Sequence, residues 1–367
     1  MHRDRVQRPA RGLRYVLKVV RSQGIAGRTD GGLGVGLRKN LPLSGYVRIA
    51  PVWLWIALGG ALLSAAVAEA VVIYDLDSPR KNTSNLGDGS GWDLQGEFQG
   101  HLGTPIGPYH FITASHIGSL TPGNRITFDS GPNANGTFKT MVAFEDPETD
   151  LRIWEVDASF AAWASLYLKA DEVGRSMTVF GRGRSPGELV TGRATGGGFE
   201  LKGWREGEDD KMKSWGRNVV TDIEFDDDAG DLLVFAFDAI AGVDEGTISN
   251  RDSGGGVFVE DIGGRWKLAA INFSVLQYQQ NFRGSPVGES FSATLFDMGG
   301  FHAVGGEEGC CFPDQMDDMP APAFSTRIYS RLDWIGLVVP AAVPEPGTSL
   351  IGAVLLLVSC CRSRRGT

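Results

Sequence analysis

The sequence predicts an all-β fold closed by one C-terminal helix, and three observations predict it. Short apolar or alternating runs recur between Val71 and Val343, broken by Gly, Pro, Asn and Asp. The chain holds 51 glycines in 367 residues, the composition of a turn-rich protein. Helical spacing of apolar residues occurs near the end of that stretch, at Ile328, Leu332 and Ile335, just before Pro340. Runs of this length at regular intervals describe a sandwich or barrel rather than alternating α and β units.

Taken in order, strands are expected at residues 110–114, 125–128, 140–144, 153–156, 177–180, 232–237, 256–259 and 267–275. Each is a short apolar or alternating run that ends in turn-forming residues. The helix is expected over residues 328–338, stopped by Pro340. Residues 281–323 are long, Gly-rich and acidic, show no clear strand pattern, and are expected to form a surface insertion. No internal repeat is evident.

Charge is unevenly distributed. Residues 1–48 carry eleven Lys and Arg, and the last six residues carry three Arg. About 21 basic against 40 acidic residues remain between Val71 and Val343, a net charge near −19. So acidic a body excludes a nucleic-acid-binding surface, which needs clustered positive charge. Only four cysteines occur, as the pairs Cys310-Cys311 and Cys360-Cys361, too few for a disulfide-dense module. Cys310 and Cys311 could form a strained vicinal ring, stay free, or bridge between molecules. The core must therefore rest on apolar burial, which about 270 residues can supply.

Two apolar segments bracket the body. Arg48 precedes an apolar run from Ile49 to Leu58, and small residues follow to Ala70, with Ala66-Val67-Ala68 and Ala68-Glu69-Ala70 as candidate cleavage sites. A basic flank, a short apolar run and a small-residue exit describe a signal peptide, so residues 1–70 read as an unusual presequence with an export signal. At the other end, Val343-Pro344-Glu345-Pro346-Gly347 leads into a short apolar stretch and then Arg362-Ser363-Arg364-Arg365. That stretch is shorter than the roughly 20 residues a stable span needs. The arginines would hold its end on the cytoplasmic side. This order resembles the PEP-CTERM sorting signal. The resemblance implies that residues 344–367 anchor the protein transiently in a membrane, that an exosortase-type enzyme processes the tail, and that the product reaches the cell envelope or extracellular matrix.

Three polar residues carry candidate chemistry. Acyl transfer by serine needs a hydroxyl, a base to take its proton and a carboxylate to orient that base. Of the five histidines, His116 has the most telling setting, an apolar strand ending in Thr113-Ala114-Ser115. Asp150 opens the alternating run Leu151-Arg152-Ile153-Trp154. Ser253 sits in Asn250-Arg251-Asp252-Ser253-Gly254-Gly255, immediately before Val257-Phe258-Val259. Each alone is equally compatible with an ordinary strand end or a Gly-rich turn. Asp222, Glu224, Asp226, Asp227, Asp228 and Asp231 could in principle hold Ca²⁺, but read as a solvated acidic loop before a strand. His101, His110 and His302 show no ligand spacing with the cysteines, so neither a metal nor a cofactor is expected.

Together the three segments resemble the trypsin/chymotrypsin family of serine proteases. Thr113-Ala114-Ser115-His116 matches that family's Thr-Ala-Ala-His, Asp150-Leu151-Arg152-Ile153 its Asp-Ile-Ala-Leu, and Arg251-Asp252-Ser253-Gly254-Gly255 its Gly-Asp-Ser-Gly-Gly. The segment Val179-Phe180-Gly181-Arg182-Gly183 and the closing stretch around Leu332-Asp333-Trp334-Ile335 extend the likeness from about His110 to Ile335. The resemblance implies two antiparallel Greek-key β-barrels over residues 71–343, with a boundary near 165–180, and a C-terminal helix. It implies His116 as general base, Asp150 as its orienting carboxylate and Ser253 as nucleophile, with the backbone amides of Arg251 and Ser253 as an oxyanion hole. It places Thr247, six residues before Ser253, in the primary specificity pocket. The implied function is an exported serine endopeptidase acting on protein or peptide substrates.

The departures are as informative. No cysteine follows His116 or flanks Ser253, so the family's usual bridges are not expected. Thr247 is not an acid, so a preference for Lys or Arg is not implied. The residues after Ala70 are not the family's Ile-Val-Gly-Gly start. Arg251 stands where the family has glycine, and must either strain the loop or turn its N–H away from the oxyanion. The sequence therefore also fits a second function: a catalytically weak or inert protein of the same fold with a matrix-binding or structural role.

Overall fold

Six short strands close into a barrel in the computed structural model, which describes residues 71–343 apart from 75–81, 88, 194–196, 210, 240, 281–289, 305–311 and 315. The presequence and signal segment, the sorting tail and all four cysteines lie outside the described residues. Among the described residues no helix is long and apolar enough to cross a membrane.

A short strand β1 (Val72–Ile73) enters first. The barrel follows, built from β2 (Gly96–Phe98), β3 (His101–Gly107), β4 (His110–Ala114), β5 (Arg125–Thr127), β6 (Thr137–Glu145) and β7 (Leu151–Val156). Its strand order is β2-β3-β4-β7-β6-β5, closed by pairing of β5 back onto β2, so no edge is left exposed. Phe98, Phe111, Ile126 and Trp154 fill its interior, with Phe98 and Phe111 edge to face at 5.0 Å. On the other face of β4 and β7, Ile112, Leu151 and Ile153 pack against Phe180, Phe258, Ile271 and Ile335. Both faces of these two strands are thus buried, which explains their nearly continuous apolar character.

The rest of the chain adds β8 (Ser176–Gly181), β9 (Arg184–Arg193), β10 (Phe199–Asp209), β11 (Ser214–Val219), β12 (Asp222–Asp226), β13 (Gly230–Ala236), β14 (Gly246–Thr247), β15 (Gly256–Glu260), β16 (Trp266–Val275), β17 (Gln277–Gln280), β18 (Ser290–Leu295), β19 (Phe301–Ala303) and β20 (Pro322–Arg327). Seven of these make an antiparallel sheet in the order β11-β8-β15-β16-β20-β13-β12. The Asn218 side-chain amide on β11 donates to Ala236 O on β13 at 2.8 Å and to Gly246 O on β14 at 3.0 Å, so the sheet curls until β11 meets β13. β1 pairs with β14; Val71 and Ile73 are buried against this sheet, and Val72 packs with Trp204, Phe237 and Phe296. The helix α1 (Leu332–Val338), preceded by one 3-10 turn, drives Ile335 into the core shared with the barrel. Burying such a side chain contributes about 2 kcal/mol, and Ile335→Ala would cost roughly 2–5 kcal/mol.

Two expectations are corrected. The segment 281–323 is not devoid of strands: β18 and β19 lie within it and join β9, β10 and β17 in a five-stranded sheet. The period-two alternation Phe291, Ala293, Leu295 is buried in that sheet, a signal hidden by the glycines and acids around it. The acidic run is not a loop either, since Asp222–Asp226 is strand β12. Asp226 turns its carboxylate onto the N–H groups of Asp228 and Ala229, both at 2.9 Å, tightening the turn to β13. Among the described residues no cluster of His, Cys, Asp or Glu has the arrangement of a metal site.

Candidate active site

The register of β4 against β7 builds the first half of the site. Ala114 is paired with Leu151, so the residues just beyond each strand end, Ser115-His116 and Asp150, must meet. Ser115 N donates to Asp150 O at 2.9 Å, and His116 N donates to Asp150 Oδ1 at 3.0 Å. The Ser115 hydroxyl donates to the same oxygen at 2.7 Å. The other carboxylate oxygen, Oδ2, lies 2.7 Å from His116 Nδ1. Asp150 is nearly buried, so its charge acts on the imidazole with little screening. The carboxylate fixes Nδ1 as the protonated nitrogen and leaves Nε2 as the acceptor.

Arg152 holds this turn from behind. Its guanidinium is buried and donates to Ile117 O at 2.8 Å, to Ser115 O, and to Glu145 Oε1 at 2.7 Å. It therefore clamps the carbonyls on either side of His116. Three effects act on the His116 pKa. Burial pulls it down, the charge and hydrogen bond of Asp150 push it up more strongly together, and Arg152 opposes them weakly. The net direction is upward from the usual value.

The second half comes from the turn between β14 and β15. Ser253 Oγ lies 2.9 Å from His116 Nε2. Behind it, the fully buried Asp252 carboxylate accepts Gly183 N and Ser249 N, each at 2.6 Å, which pins the turn to the end of β8. The Asn272 amide on β16 donates to Phe180 O at 2.7 Å and to Asp252 O at 3.1 Å, tying the same turn to its neighbours. Glycine is required at 254: its φ is +82°, and a Cβ there would lie 2.4 Å from Leu102 O and Thr113 Oγ1.

Arg251 also has a left-handed backbone, with φ +77°. Of the two outcomes expected for an arginine here, the loop takes strain, which costs roughly 1–3 kcal/mol. Two contacts oppose that strain. Arg251 Nη1 pairs with Asp209 Oδ2 at 3.0 Å at the end of β10, and Arg251 O lies 3.1 Å from His101 Nδ1. Burial, and then the neighbouring His116, push the His101 pKa down, so this imidazole stays neutral and donates from Nδ1. The amides of Arg251 and Ser253 have no acceptor among the described residues.

Asp150 and Ser253 thus each lie within hydrogen-bond reach of His116, on opposite ring nitrogens, and Arg251 adjoins them in the chain. Thr247 is buried in β14 and paired with Val72, and no hydrogen bond joins it to Ser253 or His116 among the described residues. Phe273 belongs to the stretch Asn272-Phe273-Ser274, which the family resemblance sets near the pocket wall without naming a substrate, and it is the extra residue of a β-bulge between Asn272 and Ser274. Its ring stands edge-on to His116 at 6.0 Å, and bulges commonly re-aim a side chain in this way. Ser115, Arg152 and His101 were missed as functional positions. Ser115 and Arg152 each stand where the matched motif has alanine, a signal that was present in the sequence. No family model matches the chain, and no curated protein is matched by it.

Proposed function

We propose that this chain is an exported serine endopeptidase of the trypsin-like kind. The observation that carries the reading is the unbroken line from Asp150 Oδ2 to His116 Nδ1 at 2.7 Å and from His116 Nε2 to Ser253 Oγ at 2.9 Å. In the proposed reaction Ser253 Oγ attacks the peptide carbonyl carbon while His116 Nε2 takes its proton. The negative oxygen that forms is met by the amides of Arg251 and Ser253. His116 then returns the proton to the leaving amine, the C–N bond breaks, and water hydrolyses the acyl ester by the same exchange in reverse order. Asp150 stays ionised and stabilises the imidazolium throughout.

The seven-stranded sheet, curled until β11 meets β13, serves in this reading as the second of two Greek-key barrels, with the site in the cleft between them. The amino-terminal export signal and the Pro-Glu-Pro tail assign the protein to the cell envelope or matrix, with exosortase-type processing as its last step. A second reading, a weakly active or inert protein of the same fold, draws on the strained Arg251. Labelling by a fluorophosphonate separates the two. The unsubstituted protein is expected to be labelled at Ser253 and to cleave peptides, and Ser253→Ala is expected to lose both. Hydrolysis that persists in Ser253→Ala, or no labelling of the unsubstituted protein, would refute the assignment.

A further inference from the structure

A cavity of about 460 Å³ adjoins the nucleophile turn. On the barrel side its wall includes Leu102, whose carbonyl accepts Thr113 Oγ1 at 2.7 Å and lies close against Gly254. On the other side its wall is Lys211, Met212 and Lys213, which lie two to four residues after Asp209, the partner of Arg251. The volume falls in the range of roughly 300–1,000 Å³ that ligand sites occupy.

The charged groups in this wall divide by sign. Both acids are engaged: Glu97 Oε1 accepts Gly100 N at 2.8 Å, and Asp129 Oδ1 accepts Lys213 Nζ at 2.5 Å. Lys213 is itself consumed, donating also to Trp92 O at 3.2 Å and Gln95 O at 3.3 Å while its ammonium sits 4.3 Å from the Trp92 ring centre. Arg182 and Lys211 are different. Neither makes a hydrogen bond or ion pair among the described residues. Arg182 lies near enough to Lys213 for the two like charges to repel, so an anion placed between them would relieve that repulsion. The cavity therefore offers unused cations, in a body whose net charge is near −19. Leu102, Phe128 and Trp92 supply an apolar floor for an aliphatic stem.

We propose that this cavity binds the carboxylate of an acidic peptide segment, with Arg182 and Lys211 as its donors. A guanidinium fork suits a planar carboxylate, and the ammonium adds a second charge-assisted bond. The proposal rests on the endopeptidase reading for the peptide nature of the ligand, and extends it by giving the substrate an acidic anchor beside the nucleophile turn.

The test uses full-length Ser253→Ala protein, so that binding is read without turnover. A capped, fluorescently labelled tetra-glutamate peptide and its tetra-glutamine counterpart are titrated by anisotropy. The glutamate peptide is expected to bind at least tenfold tighter. Arg182→Gln and Lys211→Gln should each remove most of that preference, and together all of it. Neither residue is buried, and unchanged thermal melting would show that the variants remain folded. Equal binding of the two peptides, or a glutamate preference that survives the double substitution, would overturn the proposal. Failure of the endopeptidase reading would look different: glutamate binding would persist, but the unsubstituted protein would resist the phosphonate.

Discussion

The two halves of the candidate site are held in opposite ways. The His116–Asp150 half is over-determined, since a paired strand end, two backbone donors, a hydroxyl and a buried guanidinium all fix the same few atoms. The Ser253 half has a buried anchor at Asp252, but its leading residue, Arg251, is strained and relies on a half-exposed ion pair and one imidazole. A buried charge network loses heavily when one member is removed, whereas an exposed ion pair contributes at most about 1 kcal/mol. His116 is thus held rigidly and the Arg251 loop only marginally. Mutational sensitivity should follow that asymmetry.

The largest effect is expected from Asp150→Asn. It removes the charge that orients His116, and should lower turnover on the order of 10⁴-fold. It should also move the acid limb of the pH–rate profile downward, because burial then acts on His116 without the opposing carboxylate. A profile that keeps its limb in place would contradict the assigned pair. Arg152→Met should come next. Two carbonyls and Glu145 lose their donor, and urea unfolding is expected to show a loss of about 3 kcal/mol. Full stability in this variant would mean that the clamp is ornamental and the asymmetry false.

The nucleophile side should respond less, and in a manner diagnostic of strain. Arg251→Gly relieves the left-handed backbone as it loses the Asp209 contact, so turnover should change by less than tenfold. Arg251→Ala keeps the Cβ penalty and loses the ion pair, and should be the poorer enzyme of the two by about tenfold, since 1.4 kcal/mol is a factor of ten. If alanine and glycine behave alike, the φ of +77° is not what limits this loop.

Much of this was legible in the sequence, for physical reasons that also mark its limits. The strands at residues 110–114 and 256–259 and the helix near Ile335 carry periodic apolar residues that become core, so pattern alone finds them. The residues His116, Asp150 and Ser253 stand in short local motifs, and chain order linked them. The strands β18 and β19 escaped because their alternation is brief and sits among glycines and acids. Ser115 and Arg152 escaped for another reason. Each looks like an incidental departure from a motif until the fold brings Arg152 against the Ser115 carbonyl. A pair of departures that fit each other in space cannot be read from either position alone. The bulge that aims Phe273 at His116 depends on strand register, which sequence patterning does not resolve.

The smallest expected effect isolates the Ser115 hydroxyl. It donates to Asp150 Oδ1 at 2.7 Å, and so withdraws part of the negative charge that Oδ2 presents to His116. Ser115→Ala leaves the backbone contacts in place but returns that charge to the imidazolium, so the His116 pKa should rise further above its ordinary value of about 6.5. In the proposed reaction turnover needs neutral His116, and the acid limb should therefore climb in pH, opposite to its movement in Asp150→Asn. The loss at the pH optimum should be about threefold, since one donor of several is removed. Stability runs the other way with pH. A histidine whose pKa is raised by folding stabilises the native state below the unfolded value, and that contribution is lost as pH rises through the folded value. Ser115→Ala should widen this window upward, which thermal melting across pH 5–9 would detect alongside the rate profile. A limb that moves down in Ser115→Ala, or does not move, would show that the hydroxyl merely fills space beside the carboxylate, and the base side of the site would then be fixed by its backbone contacts and Arg152 alone.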